Sequence, residues 1–236
     1  MADDERDFGA AAVDPLRRAV ADLSWLLDRA YPETASLQLV GDRHGLGARQ
    51  RTAVRRASCS EAERTDRASR RTSPEDLRGA TVWVDAYNVL VTVSTALAGG
   101  VVIAARDGAY RDLAGLSREI SEPLAATPVL ERVGHRLAEL GPAGCVWHLD
   151  RPVSRSGRLR ASIQRLGTRH GWSWQALVVP DPDPVLSASP AGTIVATADS
   201  AVIDRCGRWF ALARHVVERE VPGARVIDLA AIPVPD

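Results

Sequence analysis

The chain has 236 residues, of which 30 are basic and 30 are acidic, so its formal net charge is zero. This balance excludes a global electrostatic field that would draw the protein to nucleic acid or to a membrane surface, so any such attraction must come from a local patch. Every one of the basic residues is an arginine, whose planar, permanently charged guanidinium suits phosphate recognition. The length accommodates one α/β domain with a sizeable core and a small second domain.

The three cysteines, at positions 59, 145 and 206, are odd in number and form no CxxC pair. Neither a disulfide framework nor a thiolate zinc site is therefore expected, and a reducing cytoplasm is the predicted compartment. The acidic amino terminus differs from a signal peptide. The uncharged stretch Ala86–Ala105 is interrupted by polar residues and by Gly99–Gly100, which indicates two successive elements rather than a membrane-spanning helix.

The first half of the chain predicts a small helical domain. Residues 1–13 are expected to form a flexible leader. Asp14–Pro15 is typical of a helix start, and apolar residues at helical spacing predict a helix from there to about Ala30. Two short helices follow, at Glu33–Val40 and Ala48–Ala57. We therefore predict a helical domain over residues 14–58 and a linker over residues 59–78.

Five arginines and no carboxylate lie between residues 43 and 56. Clustered arginines neutralise backbone phosphates regardless of base sequence, so this stretch is a candidate RNA-binding surface. A solvated helix face explains the same composition, and the sequence leaves both interpretations open.

Residues 79–236 alternate between strand and helix patterns, which predicts an α/β domain with a mostly parallel sheet and helices on both faces. The predicted strands are Thr81–Asp85, Val101–Ala104, Cys145–Leu149, Trp174–Val179, Thr193–Ala196 and a last strand near Arg225–Leu229. Three helices are predicted between these strands: the first ends at Leu140, the second spans Ser156–His170, and the third begins at about Ser200. The type of the Asn88–Leu97 element is left open.

Three apolar strand patterns run into an aspartate, namely Asp85, Asp150 and Asp199. Ligands of open α/β sheets bind beyond the carboxyl ends of the strands, where these carboxylates are expected to converge. Closely packed like charges require a neutralising cation, and carboxylates suit Mg²⁺ or Mn²⁺, which can stabilise the charges of phosphodiester cleavage. The alternative is that each aspartate caps the following helix.

The DGAYRD segment adds Asp107 as a further candidate carboxylate and Arg111 as a candidate substrate-binding cation. Asp-Gly is also a common turn pair, which explains Asp107 without any chemistry. Asn88, three residues after Asp85, is a candidate for holding a substrate oxygen or a metal-bound water, or for capping the next element.

The segment Arg151–His170 carries six arginines and no acidic residue. Hydroxyl groups and a glycine stand at the start of its predicted helix, where free N–H groups and the helix dipole favour an anion. A phosphate could be held there, next to a metal at Asp150, although a solvated helix face remains the alternative. The candidate phosphate-binding residues are Arg151, Ser154, Arg155, Ser156 and Arg158.

The sequence VDAYNVL resembles the DGYNVL opening of NYN-type domains in the PIN-like nuclease group, with Ala86 in place of the glycine. The resemblance implies a PIN-like fold in which strand-end aspartates bind magnesium or manganese for RNA cleavage. Asp85, Asp150 and Asp199 match that pattern by position and context, and Asp107 is a weaker match.

The whole chain also resembles an uncharacterised two-domain family, domain of unknown function 434 with a companion C-terminal domain. The resemblance is carried by DLSWLLDRAYP and LQLVGDRHGLGARQR in the first half, and by VDAYNVL, DGAYRD, LDRPVSRSG and TADSAVID in the second. Membership of this family implies no activity.

The expected function is that of a cytoplasmic metal-dependent phosphodiesterase, with ribonuclease activity as the first choice. Mg²⁺ or Mn²⁺ would be held by Asp85, Asp150 and Asp199, with Asn88 and Asp107 assisting. RNA would dock on the arginine-rich helical domain and on the Arg151–Arg169 strip. The alternatives are a non-catalytic RNA- or nucleotide-binding protein and a phosphatase or phosphotransferase for a small metabolite. The sequence leaves the oligomeric state undetermined.

Overall fold

The computed structural model describes residues 2–113, 123–151 and 156–231. The helices are α1 Ala2–Phe8, α2 Ala10–Leu27, α3 Glu33–Arg43, α4 Ala48–Ala57, α5 Glu61–Arg70, α6 Ala86–Leu97, α7 Pro123–Leu140, α8 Ser156–His170, α9 Pro182–Ser187, α10 Ser200–Ile203 and α11 Leu212–Glu220. The strands are β1 Thr81–Asp85, β2 Val102–Ala104, β3 Tyr110–Asp112, β4 Gly144–Asp150, β5 Trp174–Val179, β6 Ile194–Ala196, β7 Arg208–Phe210 and β8 Val226–Asp228.

The main sheet has five parallel strands in the order β5-β4-β1-β6-β7. Successive side chains of a strand point to opposite faces. Val82 and Val84 of β1 therefore pack against α6, α7, α8 and α11, whereas Trp83 packs on the other face, with α9 and α10. The predicted α/β class, with a parallel sheet covered on both faces and a helical region before it, is confirmed.

A second, three-stranded sheet joins the two halves of the chain. Its order is β3-β2-β8, with β2 antiparallel to β3 and parallel to β8. Val102 and Ala104 of β2 belong to the core of the α/β half, whereas Ile103 between them belongs to the core of α2 and α4. The small sheet is thus a layer that both cores share.

The expected flexible leader is helical instead. Residues 2–8 form α1, and α2 begins at Ala10 rather than after Asp14, so Pro15 lies inside the helix. Proline removes a backbone hydrogen bond there. The burial of Phe8, Leu16 and Val20 in the helical core offsets this cost.

The segment expected to be a linker also contains regular structure. Helix α5 spans Glu61–Arg70, and its start is fixed by a capping box in which Ser60 and Glu63 satisfy each other's backbone N–H groups. A 3₁₀ turn follows at Pro74–Leu77. The Asn88–Leu97 element, left open from the sequence, is part of helix α6.

None of the helices in the described ranges is both long enough and apolar enough to cross a bilayer. The uncharged stretch Ala86–Ala105 divides into α6 and β2, as its polar residues and glycines predict.

We expect Phe8→Ala to lower the free energy of unfolding by about 3–5 kcal/mol, because it empties a fully buried aromatic site. Urea denaturation followed by circular dichroism measures the loss. Tyr31→Ala is the matched control, since Tyr31 is 55% exposed and its truncation leaves no cavity. Equal stability losses in both variants would contradict the packing of α1 against the helical core.

Candidate functional site

The strand-end aspartates lie at one edge of the main sheet. Asp85 is level with His148 of β4, so Asp150 lies two residues further along that strand. Val84 is level with Ala196 of β6, so Asp199 follows the end of the neighbouring strand. The parallel arrangement therefore brings all three predicted carboxylates to the carboxyl edge.

Asp85 is the buried member of this group. It is only 7% exposed, and its carboxylate accepts hydrogen bonds from the Thr197 hydroxyl (2.8 Å) and from the Asn88 backbone N–H (3.4 Å). Burial raises the pKa of Asp85 to about 7, and the negative charges of Asp199 and Asp183 add to the increase. Proton binding by Asp85 is thus shifted into the neutral range.

Two further carboxylates, which the sequence patterns did not single out, follow β5: Asp181 precedes α9 and Asp183 lies in its first turn. Burial raises the pKa of Asp183, and the charges of Asp199, Asp181 and Asp150 raise it further. Burial and the charge of Asp181 likewise raise the pKa of Asp150. The carboxylates of this edge therefore repel one another. The signal of Asp181 and Asp183 in the sequence is the alternating proline and aspartate run, PDPDP, that follows the strand pattern Trp174–Val179.

The helix-capping alternative also holds for part of this edge. One oxygen of Asp199 accepts hydrogen bonds from the backbone N–H groups of Ala201 (2.8 Å) and Val202 (3.2 Å), at the start of α10. Asp150 differs, because its Oδ1 is buried and accepts no hydrogen bond within the described residues. No group of three or more histidine, cysteine, aspartate or glutamate side chains in the described ranges is arranged to hold a metal ion.

A cavity of about 450 Å³ lies between the helical half and this edge of the sheet. Leu23 and Leu27, at the end of α2, line it on the helical side. Its polar lining includes Arg55, Arg56, Asn88, Arg111, Asp112 and Asp199. Both halves of the chain therefore contribute to one candidate binding site.

Asn88 fixes the geometry where this cavity meets the sheet. Its side-chain oxygen accepts a hydrogen bond from the Ala198 backbone N–H (2.7 Å), which ties α6 to the loop that carries Asp199. The structure thus places Asn88 beside Asp85 and against the loop that carries Asp199, and gives it a positioning contact.

Asp107 and Arg111 belong to a buried ion-pair network at the border of the cavity. The Asp107 carboxylate accepts hydrogen bonds from Arg67 (2.8 Å), from Arg111 (2.6 Å) and from the Ala109 backbone N–H (3.1 Å). Burial opposes the ionisation of Asp107, but the two arginines outweigh it and lower the pKa to about 2. Arg111 also donates to the carbonyl oxygens of Ala198 (2.7 Å) and Arg56 (2.9 Å). Both predicted site residues are therefore engaged in contacts within the protein.

Arg67 was missed because it lies in the expected linker. It is 3% exposed and forms a bidentate pair with Asp204 (2.6 and 2.9 Å) in addition to its contact with Asp107. The capping box of α5 is the signal that could have identified a helix here.

Part of the predicted phosphate-binding segment lies within the residues that the structure describes. Ser154 and Arg155 lie outside the described residues, whereas Arg151 and Arg158 are exposed. Ser156 is buried, and its hydroxyl donates to the Asp150 carbonyl oxygen (2.6 Å) and accepts from the Tyr87 hydroxyl (3.2 Å). Ser156 therefore positions the end of β4.

We expect Asp85→Asn to stabilise the protein above about pH 7, by roughly 2–4 kcal/mol. The folded protein holds the Asp85 proton more tightly than the unfolded chain, so the wild type loses stability as the pH rises from about 4 to about 7. Urea denaturation at about pH 4 and at about pH 8 measures the difference. The same stability difference at both pH values would refute the raised pKa.

We expect Arg67→Met to cost about 3–5 kcal/mol of unfolding free energy, because it removes the bidentate partner of Asp204 and one of the two arginines that neutralise the buried Asp107. Arg64→Met on the same helix is the control, since the Arg64–Glu61 pair is exposed and solvent screens its contribution to stability. Thermal unfolding of the two variants gives the comparison. Similar melting temperatures would show that the network carries no net stability.

The comparisons with known proteins agree with the two-part organisation. The family model described as "Protein of unknown function (DUF434)" matches residues 15–70, and the one described as "Domain of unknown function (DUF5616)" matches residues 74–215. The chain is 25% identical over 192 residues to "Uncharacterized protein MJ0935" of Methanocaldococcus jannaschii, which covers 80% of this chain and 88% of that protein. No solved structure matches the chain. The predicted family is thus confirmed: the protein belongs to the DUF5616 family, with a DUF434 region before that domain.

Proposed function

We propose that the protein is a metal-dependent phosphodiesterase that acts on RNA. The observation that carries this proposal is the gathering of Asp85, Asp150, Asp183 and Asp199 at the carboxyl edge of the main sheet. Like charges in such proximity are costly unless a cation neutralises them. The likeness of VDAYNVL to NYN-type nuclease domains supports the same activity.

The donors at this edge fit Mg²⁺ or Mn²⁺, because all of them are oxygen atoms. Mg²⁺ is usually bound by one or two carboxylates together with waters and substrate phosphates. The described side chains fit that mode better than a complete protein cage, since no three of them form a ready-made site. The bound ion would supply charge stabilisation and an activated water.

The chain's own residues would divide the remaining tasks. Asp150 offers a buried oxygen without a hydrogen-bond partner in the described residues, and Asp199 has an oxygen beyond the one that caps α10. Asp85 would release its proton near neutral pH and bind the ion as a carboxylate. Arg151 and Arg158, exposed beside the end of β4, would hold a phosphate there.

A second candidate is a protein that binds a small phosphorylated metabolite or nucleotide, with or without hydrolysing it. The cavity favours this reading, because a volume of about 450 Å³ is typical of small-molecule sites. The metabolite reading predicts that a free nucleotide blocks metal-dependent activity while long RNA does not bind. We place either activity in a reducing cytoplasm, since Cys59, Cys145 and Cys206 are free and buried.

We expect Mn²⁺ at about one hundred times its dissociation constant to stabilise the wild type by about 2.7 kcal/mol at pH 8, and to leave Asp85→Asn unaffected. Thermal unfolding with and without Mn²⁺ measures this shift. Cleavage of a labelled single-stranded RNA should fall at least about a hundredfold in the same variant, because an ion-binding carboxylate is lost.

Asp14→Asn is the matched control, since the Asp14 side chain is 69% exposed and its ion-pair partner is Arg17 on the surface. It should respond to Mn²⁺ and cleave RNA as the wild type does. RNA cleavage by folded Asp85→Asn at the wild-type rate would overturn the proposal. RNA binding that persists without metal, combined with the absence of cleavage in the wild type, would favour a binding protein.

A further inference from the structure

We infer that Arg55 and Arg56, at the end of α4, bind the phosphate group of the substrate inside the shared cavity. The helical half would then form part of the substrate site, together with Asn88 and Asp199, instead of serving as a separate docking surface. This inference rests on the proposed function for its substrate class, a phosphate ester of a nucleotide. The observation that carries it is which arginines of the basic stretch have ion-pair partners within the protein and which do not.

Most arginines of the basic stretch are neutralised by carboxylates from elsewhere in the chain. Arg43 pairs with Asp22 (3.6 Å) and Arg51 with Asp42 (2.7 Å). Arg49 is held by two aspartates of α1. These side chains form intramolecular contacts, which makes a broad phosphate-binding face on the helical half a poor description of this surface.

Arg55 differs from these residues. It is exposed, lines the cavity, and has no hydrogen bond or ion pair within the described ranges. Two other cavity arginines, Arg67 and Arg111, form ion pairs within the buried network around Asp107. Arg55 is therefore the cavity cation whose donors are available to a ligand.

Arg56 stands next to it in a fixed orientation. Its Nη1 donates to the Asp112 carbonyl oxygen (2.5 Å) and lies 3.5 Å from the Asp112 carboxylate. This anchor uses one end of a guanidinium that presents several donors in a rigid fork. Two adjacent guanidinium groups, one anchored and one unpaired, suit the several oxygens of a phosphate.

The carboxylates in the cavity lining explain why the ligand should be a phosphate that is accompanied by a cation. Carboxylates also line the cavity, among them Asp199 of the α/β half and Glu33 and Glu63 of the helical half, so a simple anion would be attracted by the arginines and repelled by these groups. A phosphate accompanied by a divalent cation would suit such a mixed lining, because the arginines would hold the phosphate and the carboxylates would hold the cation. Such a pairing matches the metal chemistry proposed for the sheet edge.

The test compares Arg55→Gln with Arg18→Gln. Arg18 is also exposed and unpaired in the described residues, but it lies on α2 and not in the cavity lining. The probes are a fluorescein-labelled RNA tetranucleotide, followed by anisotropy, and adenosine 5′-monophosphate, followed by calorimetry. Both are measured without metal and with Ca²⁺, and circular dichroism verifies folding.

We expect Arg55→Gln to weaken binding about tenfold, the loss typical of one charge-assisted hydrogen bond. Arg18→Gln should change it less than about twofold, and Arg55→Gln combined with Arg56→Gln should lose more than the single variant. A loss for RNA alone identifies a phosphate within a polymer, whereas a loss for both probes identifies the phosphate of an isolated nucleotide. Unchanged binding in Arg55→Gln, or an equal loss in Arg18→Gln, would overturn the inference.

The outcome separates this inference from the proposed function. If the wild type binds the probe through Arg55 but does not cleave RNA with Mn²⁺, the phosphate site is supported and the nuclease proposal is refuted. If RNA cleavage depends on Asp85 but its KM is unchanged in Arg55→Gln, the nuclease proposal is supported and the phosphate site is refuted.

Discussion

Asp107 shares its charge between Arg67 of the helical half and Arg111 of the small sheet, and the arrangement of both halves depends on this buried contact. Each of these groups would be unstable in the interior by itself, because an isolated buried charge is strongly disfavoured. Together they fix α5 against the α/β half, since Arg67 also pairs with Asp204. The position of the helical wall of the cavity follows from this network.

The carboxyl edge of the main sheet has the opposite character. Around Asp107 every negative charge has a cationic partner, whereas at the carboxyl edge burial raises the pKa of Asp85, Asp150 and Asp183, and neighbouring carboxylates raise it further. A sequence selected for stability alone would not retain such repulsion. The contrast between a network neutralised by arginines and an edge of neighbouring carboxylates is the main support for placing the proposed site at that edge.

The sequence predicted the features that depend on local pattern. An apolar run that ends in an aspartate is sufficient to place Asp85 and Asp150 at strand ends, and strand–helix alternation is sufficient for the class of the fold. Contacts between distant segments were not predictable from pattern. Arg67 and Asp204 are 137 residues apart, and the partners of Arg49 lie in a segment that reads as a leader. A run of arginines therefore appeared basic because its neutralising carboxylates come from another helix. The helix start predicted at Asp14–Pro15 was wrong for a related reason, because the tertiary burial of apolar residues outweighed the local signal of the proline.

The shared small sheet has a consequence for how the chain is made. The core of the helical half includes Ile103 from β2 and also Ile227 and Leu229 from the last strand region. The amino-terminal helices leave the ribosome first, yet part of their apolar surface is covered only by residues that are synthesised more than a hundred positions later. The core of the helical half therefore cannot be completed until Ile227 and Leu229 have been synthesised.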